Sequence, residues 1–274
     1  MKRNYRNYVM LLSAGVILIM QACQKDDQFS LVPDNGKFSK SGLKANTVNT
    51  FYSPTLPVGK GIGRAWVTEN SAGEPVSVGV NLSEKALENL PVEHTDYVFI
   101  LPKNKGENFY THVLLNWNPQ GHFPDHVYDV PHFDVHFYII PNEERMAIEA
   151  DDFTEFANAP SSQYVPDYYF QIPGGEPQMG AHWADLLSPE LTPEDDGTFT
   201  KTFIWGSYDG KFIFWEPMIT RAYLLSHPDE IIPLRQPDAY QQDGYYATHY
   251  KVSYSLSPKE YSISLQNLVY HDGE

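Results

Sequence analysis

Cysteine is nearly missing: the 274 residues contain one, at position 23. A single thiol closes no intrachain disulfide and builds no Cys-x-x-Cys redox or metal motif. Basic residues are also few, 19 Lys and Arg against 35 Asp and Glu, for a formal net charge of −16. Such a surface repels polyphosphate and argues against nucleic acid as a partner. Long apolar runs are wanting too, since the best of them, residues 9–20, is too short to span a bilayer comfortably. Gly-x-Ser-x-Gly, a Gly-rich phosphate loop and His-Glu-x-x-His do not occur, and no internal repeat is visible. The usual signatures of serine hydrolases, nucleotide-binding folds and helical zinc proteases are therefore lacking.

What is present at the N-terminus reads as an export signal. Lys2, Arg3 and Arg6 precede the apolar run, and Gln21-Ala22-Cys23 closes it. Cys23 resembles the lipobox cysteine that a lipoprotein signal peptidase exposes for acylation, so its expected role is a lipid anchor in a membrane. Gln24-Lys25-Asp26-Asp27 resembles the Lys-acidic signal that sends some lipoproteins to the outer cell surface. The expected location is the cell envelope, as a surface-exposed outer-membrane lipoprotein. Removing residues 1–22 with their three positive charges takes the balance from −16 to −19. Residues 23–50, polar and without apolar periodicity, read as the anchor and a flexible tether. Residues 51–274 then read as one domain, stable without disulfides.

Within that domain the pattern is of strands. Residues 65–67 and 76–82 alternate as strands around a turn, and Ser83 is placed to cap a short helix ending at Pro91. Strands are expected at 97–101 and 110–117 across the polar loop 103–108, and a helix at 142–150. A strand follows at 168–172, then a loop at 174–183. Residues 198–208 and 211–218 form the clearest hairpin, turning at Asp209-Gly210. A helical turn or two at 219–226 precedes two final strands at 248–256 and 261–269. The expected fold is β-rich, all-β to α+β: an antiparallel sandwich or open barrel with a few short helices.

The stretch 131–141 organises the rest. Two prolines bracket a run of aromatic and β-branched residues, which reads as a strand. Alternation puts Phe133, Val135, Phe137 and Ile139 on one face and His132, Asp134, His136 and Tyr138 on the other. One face is core, and the other carries two imidazoles and a carboxylate. Five of the ten histidines fall between positions 112 and 136. His132, His136, His182 and Glu216 are the expected ligands of a divalent metal, zinc first, since zinc, manganese and non-haem iron all accept three imidazoles and a carboxylate. Asp134 is either a fourth ligand or an orienting partner, and Tyr138 stands beside it in the second tier.

Each assignment has a plainer counterpart. His132 and His136 could be histidines hydrogen-bonded in a polar pocket. His182 could belong to a turn whose Trp183 plugs the core, and Glu216 could pair with Arg221. Of His112 and His122, one could join from the adjacent strand while the other shapes the loop. His94, His227, His249 and His271 lie outside the cluster and read as surface. The 19 Tyr and five Trp could form a glycan-stacking platform, or only core and sheet surface.

The blocks 117–122, 131–138, 180–183, 206–210 and 216–220 together resemble an uncharacterised family of secreted bacterial domains. Its type is an extracytoplasmic-stress-sigma-factor-controlled protein of a thermophile that assembles as a homodecameric ring. The similarity spans roughly residues 60–225, and Pro131-His132-Phe133-Asp134-Val135-His136-Phe137-Tyr138 carries most of it, with Val135 where the family has Phe. The resemblance implies a domain without established enzyme activity and a possible homo-oligomer. Two functions follow from the sequence: an anchored lipoprotein with a metal-binding β domain, whose ion could support hydrolysis, or a metal-free envelope protein that assembles or binds glycans.

Overall fold

A computed structural model describes residues 48–102, 109–192 and 197–274. The signal segment, Cys23, the tether up to residue 47 and the polar loop 103–108 lie outside the described residues. Fourteen strands follow in chain order: β1 (Asn49–Tyr52), β2 (Leu56–Val58), β3 (Gly61–Glu69), β4 (Pro75–Ser83), β5 (Thr95–Ile100), β6 (His112–Asn118), β7 (His132–Tyr138), β8 (Tyr169–Gln171), β9 (Ala181–Asp185), β10 (Lys201–Tyr208), β11 (Lys211–Thr220), β12 (Asp229–Pro233), β13 (Gly244–Leu256) and β14 (Lys259–His271). All pairings are antiparallel. Three short helices, α1 (Asn142–Met146), α2 (Phe153–Ala157) and α3 (Arg221–Leu225), complete the regular structure with a few 3-10 turns.

The strands form two sheets of seven. One runs β1-β3-β4-β14-β13-β12 with β2 added beside β3, and the other runs β5-β6-β7-β11-β10-β9-β8. Val78, Val80, Val252, Ile263 and Leu265 of the first meet Val113, Leu115, Phe133, Val135 and Phe137 of the second in one apolar core. Aromatic contacts bridge the layers, including Trp215 on Tyr246 at 5.6 Å and Phe203 on Tyr250 at 5.2 Å. The fold is therefore the antiparallel sandwich of the two expected architectures, without barrel closure.

Several expectations change at element ends. Ser83 makes no cap; its hydroxyl accepts from the Ile62 amide at 3.0 Å, and only a 3-10 turn, Glu84–Leu87, follows. The helix expected over 142–150 stops at Met146. Residues 181–183, expected in a loop, begin β9 instead. The 209–210 turn is as expected, with φ of 45° at Asp209 and 76° at Gly210, the left-handed pair that a two-residue hairpin needs.

The second sheet is buried on both faces. Its inner face meets the other sheet, while its outer face carries Leu114, Tyr138 and Phe214 against Ile148 and Phe156, and Ile204 and Met218 against Tyr128 and Phe199. The connections after β6, β7 and β8 thus roof the face on which the histidines stand. All seven residues of β7 are buried.

Candidate metal centre

The roofed face collects its polar groups through register. β6 and β11 flank β7, so that Asn116 lies opposite Asp134, Asn118 opposite His132 and Met218 opposite Asp134 on the other side. Glu216 sits opposite Ile204 of β10, and His182 of β9 opposite Gly206 of β10. Two of the three strands beyond β7 therefore bring a carboxylate, on β11, and an imidazole, on β9, toward it. Gly206 makes that approach possible: a Cβ there would lie 1.9 Å from the Phe214 ring, which packs on His136 at 4.9 Å and on His182 at 5.2 Å.

Two groups of three result. In the first, His136 Nε2 lies 3.4 Å from Glu216 Oε1 and His182 Nε2 lies 3.6 Å from Glu216 Oε2. In the second, His132 Nε2 is 3.1 Å from Asp134 Oδ1 and His122 Nε2 is 3.3 Å from Asp134 Oδ2. Within each group one donor atom per residue falls within 4.8 Å of the others, close enough to hold a metal ion. Ligands about 2.1 Å from a tetrahedral ion stand about 3.4 Å apart. The four contacts fall around that spacing.

The expected set of His132, His136, His182 and Glu216 is thus divided, and His132 is not with the other three. Strand geometry explains it. Residues four apart on one face of a strand are about 13 Å apart at Cα, too far for two imidazoles to meet over one ion unless both lean fully inward. Asp134, expected as a fourth ligand or an orienting partner of that set, lies with His132 and His122. Its Oδ2 accepts from Asn118 Nδ2 at 2.6 Å, and Asn118 Oδ1 in turn meets His94 Nδ1 at 2.7 Å. Tyr138 lies flat on His112, 4.8 Å between ring centres with 2° between planes, and donates its hydroxyl to the Met179 carbonyl at 3.3 Å. Its ring also lies beside that of His136, 5.9 Å between centres with 13° between planes. The roles expected of His112 and His122 are exchanged: His122 of the loop joins a group, while His112 of the adjacent strand meets Thr111 at Nδ1. His182 and Trp183 lie on a strand rather than the loop or turn expected for them, and alternation sends Trp183 into the core, its indole donating to Ser207 Oγ at 2.8 Å, and His182 to the opposite face. Arg221 bonds the Leu87 carbonyl and leaves Glu216 to the imidazoles.

Electrostatics separate the groups. Burial depresses His136 to about 3 and His182 to about 4, so both imidazoles are neutral. Burial, with the Asp134 charge nearby, pushes the Glu216 carboxyl well above its ordinary range. Burial also opposes ionisation of Asp134, but the His132 and His122 rings outweigh it and hold that carboxyl well below its usual value. His122 in turn is raised, the Asp134 contact overcoming the burial that works against its charge.

Five of the six residues line one pocket of about 390 Å³, closed on one side by residues 172–176 and Met179, with Phe123 and His94 also in its wall. A larger cavity of about 580 Å³, beside Trp205, Phe212 and Tyr240, includes none of the six.

Comparison with known proteins adds little chemistry. A family model described as TTHB210-like, hypothetical protein TTHB210, matches residues 70–117. The chain is similar to that uncharacterised family over β4, β5 and most of β6, a stretch that holds none of the six clustered residues. No curated protein and no solved structure matches the chain.

Proposed function

We propose that this protein is an envelope lipoprotein, exported by residues 1–22 and anchored through Cys23, whose β-sandwich binds a divalent metal ion at His136, His182 and Glu216. One observation carries the metal assignment. His136 is 1% exposed and neither ring nitrogen has a well-aligned hydrogen bond, the Leu114 backbone being its one backbone neighbour, and Oε2 of Glu216, 2% exposed, has no hydrogen-bond partner either. Leaving buried polar atoms unpaired costs about 1–3 kcal/mol each, more for a charge. A bound cation supplies the partner that the surrounding protein does not. It also suits the protonation states, since a ligand imidazole must be neutral and a dication converts the reluctant Glu216 acid to a carboxylate.

Two nitrogens and one oxygen form the donor set of many catalytic zinc sites and leave a position open toward the pocket. Zinc is accordingly the first ion to try. When bound, such an ion can polarise a carbonyl or acidify a water. The chain's own residues bind and orient: Phe214 and Tyr138 wall the imidazoles, and the roof over the outer face limits water. The proposal is of binding, with a small ligand in the pocket. Elemental analysis of protein purified without added metal tests it: His182→Ala should lose one equivalent of divalent metal relative to wild type. Equal metal content in the two proteins would overturn it.

A further inference from the structure

We infer that His122, His132 and Asp134 form a second divalent-cation site beside the first, an assignment that stands independently of the ion at His136. The ring tautomers make the case. His132 Nδ1 lies 2.6 Å from the Val130 carbonyl and His122 Nδ1 lies 2.7 Å from the Phe123 carbonyl. A carbonyl only accepts, so both Nδ1 atoms carry the proton, and in the neutral rings both Nε2 atoms present a lone pair. Both nitrogens stand beside the same carboxylate, at 3.1 and 3.3 Å, and the Asn118 amide lies farther off, 3.5 Å from His132 Nε2. Lone pairs against carboxylate oxygens repel unless protons or a cation stand between them.

A proton on His132 Nε2 fits poorly. Asp134 Oδ1, buried and within 3.1 Å of His132 Nε2, still has no hydrogen-bond partner, so a proton on that nitrogen would not be directed at the oxygen. One donor atom from each of His122, His132 and Asp134 lies within 4.8 Å of the others, so that a single ion can reach all three. The surroundings match as well. Metal-bound histidines usually give their other N–H to a carbonyl, and bound carboxylates are themselves hydrogen-bonded. Here Val130 and Phe123 hold the rings and Asn118 holds Asp134 at 2.6 Å. Nitrogen and carboxylate donors favour an ion of borderline hardness, of the zinc or manganese kind.

The site is also built for entry. His132 and Asp134 are fixed on the buried β7, whereas His122 comes from an exposed loop with its side chain 38% accessible. Residues 134 and 136 are about 6.7 Å apart along the strand. Two ions so placed would both face the pocket.

The test is calorimetric titration of the chelator-treated full chain with Zn²⁺, for wild type, His122→Ala and His182→Ala, with near-ultraviolet circular dichroism to confirm folding. Wild type should bind two equivalents and each variant one. His122→Asp, which restores an oxygen donor, should recover the second equivalent. If wild type binds one ion that His182→Ala loses and His122→Ala keeps, the second site is overturned and the first stands. If the single ion is lost in His122→Ala and kept in His182→Ala, the second site stands and the function proposed above falls. Two equivalents in folded His122→Ala, or none in wild type, would also overturn it.

Discussion

Glu216 and His136 respond to pH in opposite senses when no ion is bound. A base whose folded pKa is depressed lets the unfolded chain bind more protons, so its contribution to stability is complete above its ordinary value of 6.5 and is lost as pH falls toward the folded values of about 3 for His136 and about 4 for His182. An acid whose folded pKa is raised behaves conversely: stability is present below its ordinary 4.5 and declines as pH rises above it. Chelator-treated protein should therefore lose stability to urea between pH 6.5 and pH 4 through its histidines, and above pH 4.5 through Glu216. Glu216→Gln, a neutral isostere, should be more stable than wild type at pH 8 in chelator by roughly 1–3 kcal/mol, while losing its metal. Near pH 4 that advantage should vanish. A variant less stable than wild type at pH 8 would mean that Glu216 is satisfied without an ion. At this scale the sequence was partly legible. His136 and Glu216 were readable as donors by residue type and strand face and His182 by residue type alone, its segment reading as a loop, but His122 was not, because nothing in an irregular loop of residues 119–131 specifies where its ring lands.

Among the elements, β9 joins core and site most directly. Trp183 fills the core while His182, its neighbour in sequence, faces the imidazole of His136 at 6.1 Å between ring centres. Trp183→Ala should cost about 3–5 kcal/mol in urea unfolding. It should also weaken metal binding, since the strand that presents His182 loses its footing. Gly206→Ala is the sharper probe. Its new methyl would have to displace the Phe214 ring, and overpacking of this kind costs about 1–3 kcal/mol. Because that ring touches both His136 and His182, the substitution should lower Zn²⁺ affinity more than Trp183→Ala does for the same loss of stability. Equal effects would mean that Phe214 does not set the imidazoles. The sequence pattern identified β7 as the organising strand, and both of its faces lie as alternation requires. What alternation alone did not supply was distance: a period of two marks a shared face, but the rise per residue keeps His132 and His136 from sharing an ion. The strand β12 escaped notice because Pro228 and Pro233 bracket it, and edge strands tolerate proline where central ones do not.

For the whole molecule, the two-layer sandwich follows from the abundance of alternating strands and the hairpin turns, while the choice between sandwich and barrel depended on edge pairings that no single segment encodes. No helix among the described residues is long and apolar enough to cross a membrane. The proposed attachment therefore rests on Cys23. Cys23→Ala should move the protein from the membrane fraction to the soluble one in the cells that export it. Unchanged partition would remove the lipid anchor from the account. An ion bound only by the folded state should also raise the melting temperature with its concentration, by about 2.7 kcal/mol of stability at a hundred times the dissociation constant. The central claim is tested most directly by anomalous diffraction from a crystal grown with Zn²⁺, measured above the zinc edge. A peak within about 2.0–2.2 Å of His136 Nε2, His182 Nε2 and a Glu216 oxygen is the expected result. A map in which those three donors surround no anomalous density, with zinc only on the outer surface, would contradict it.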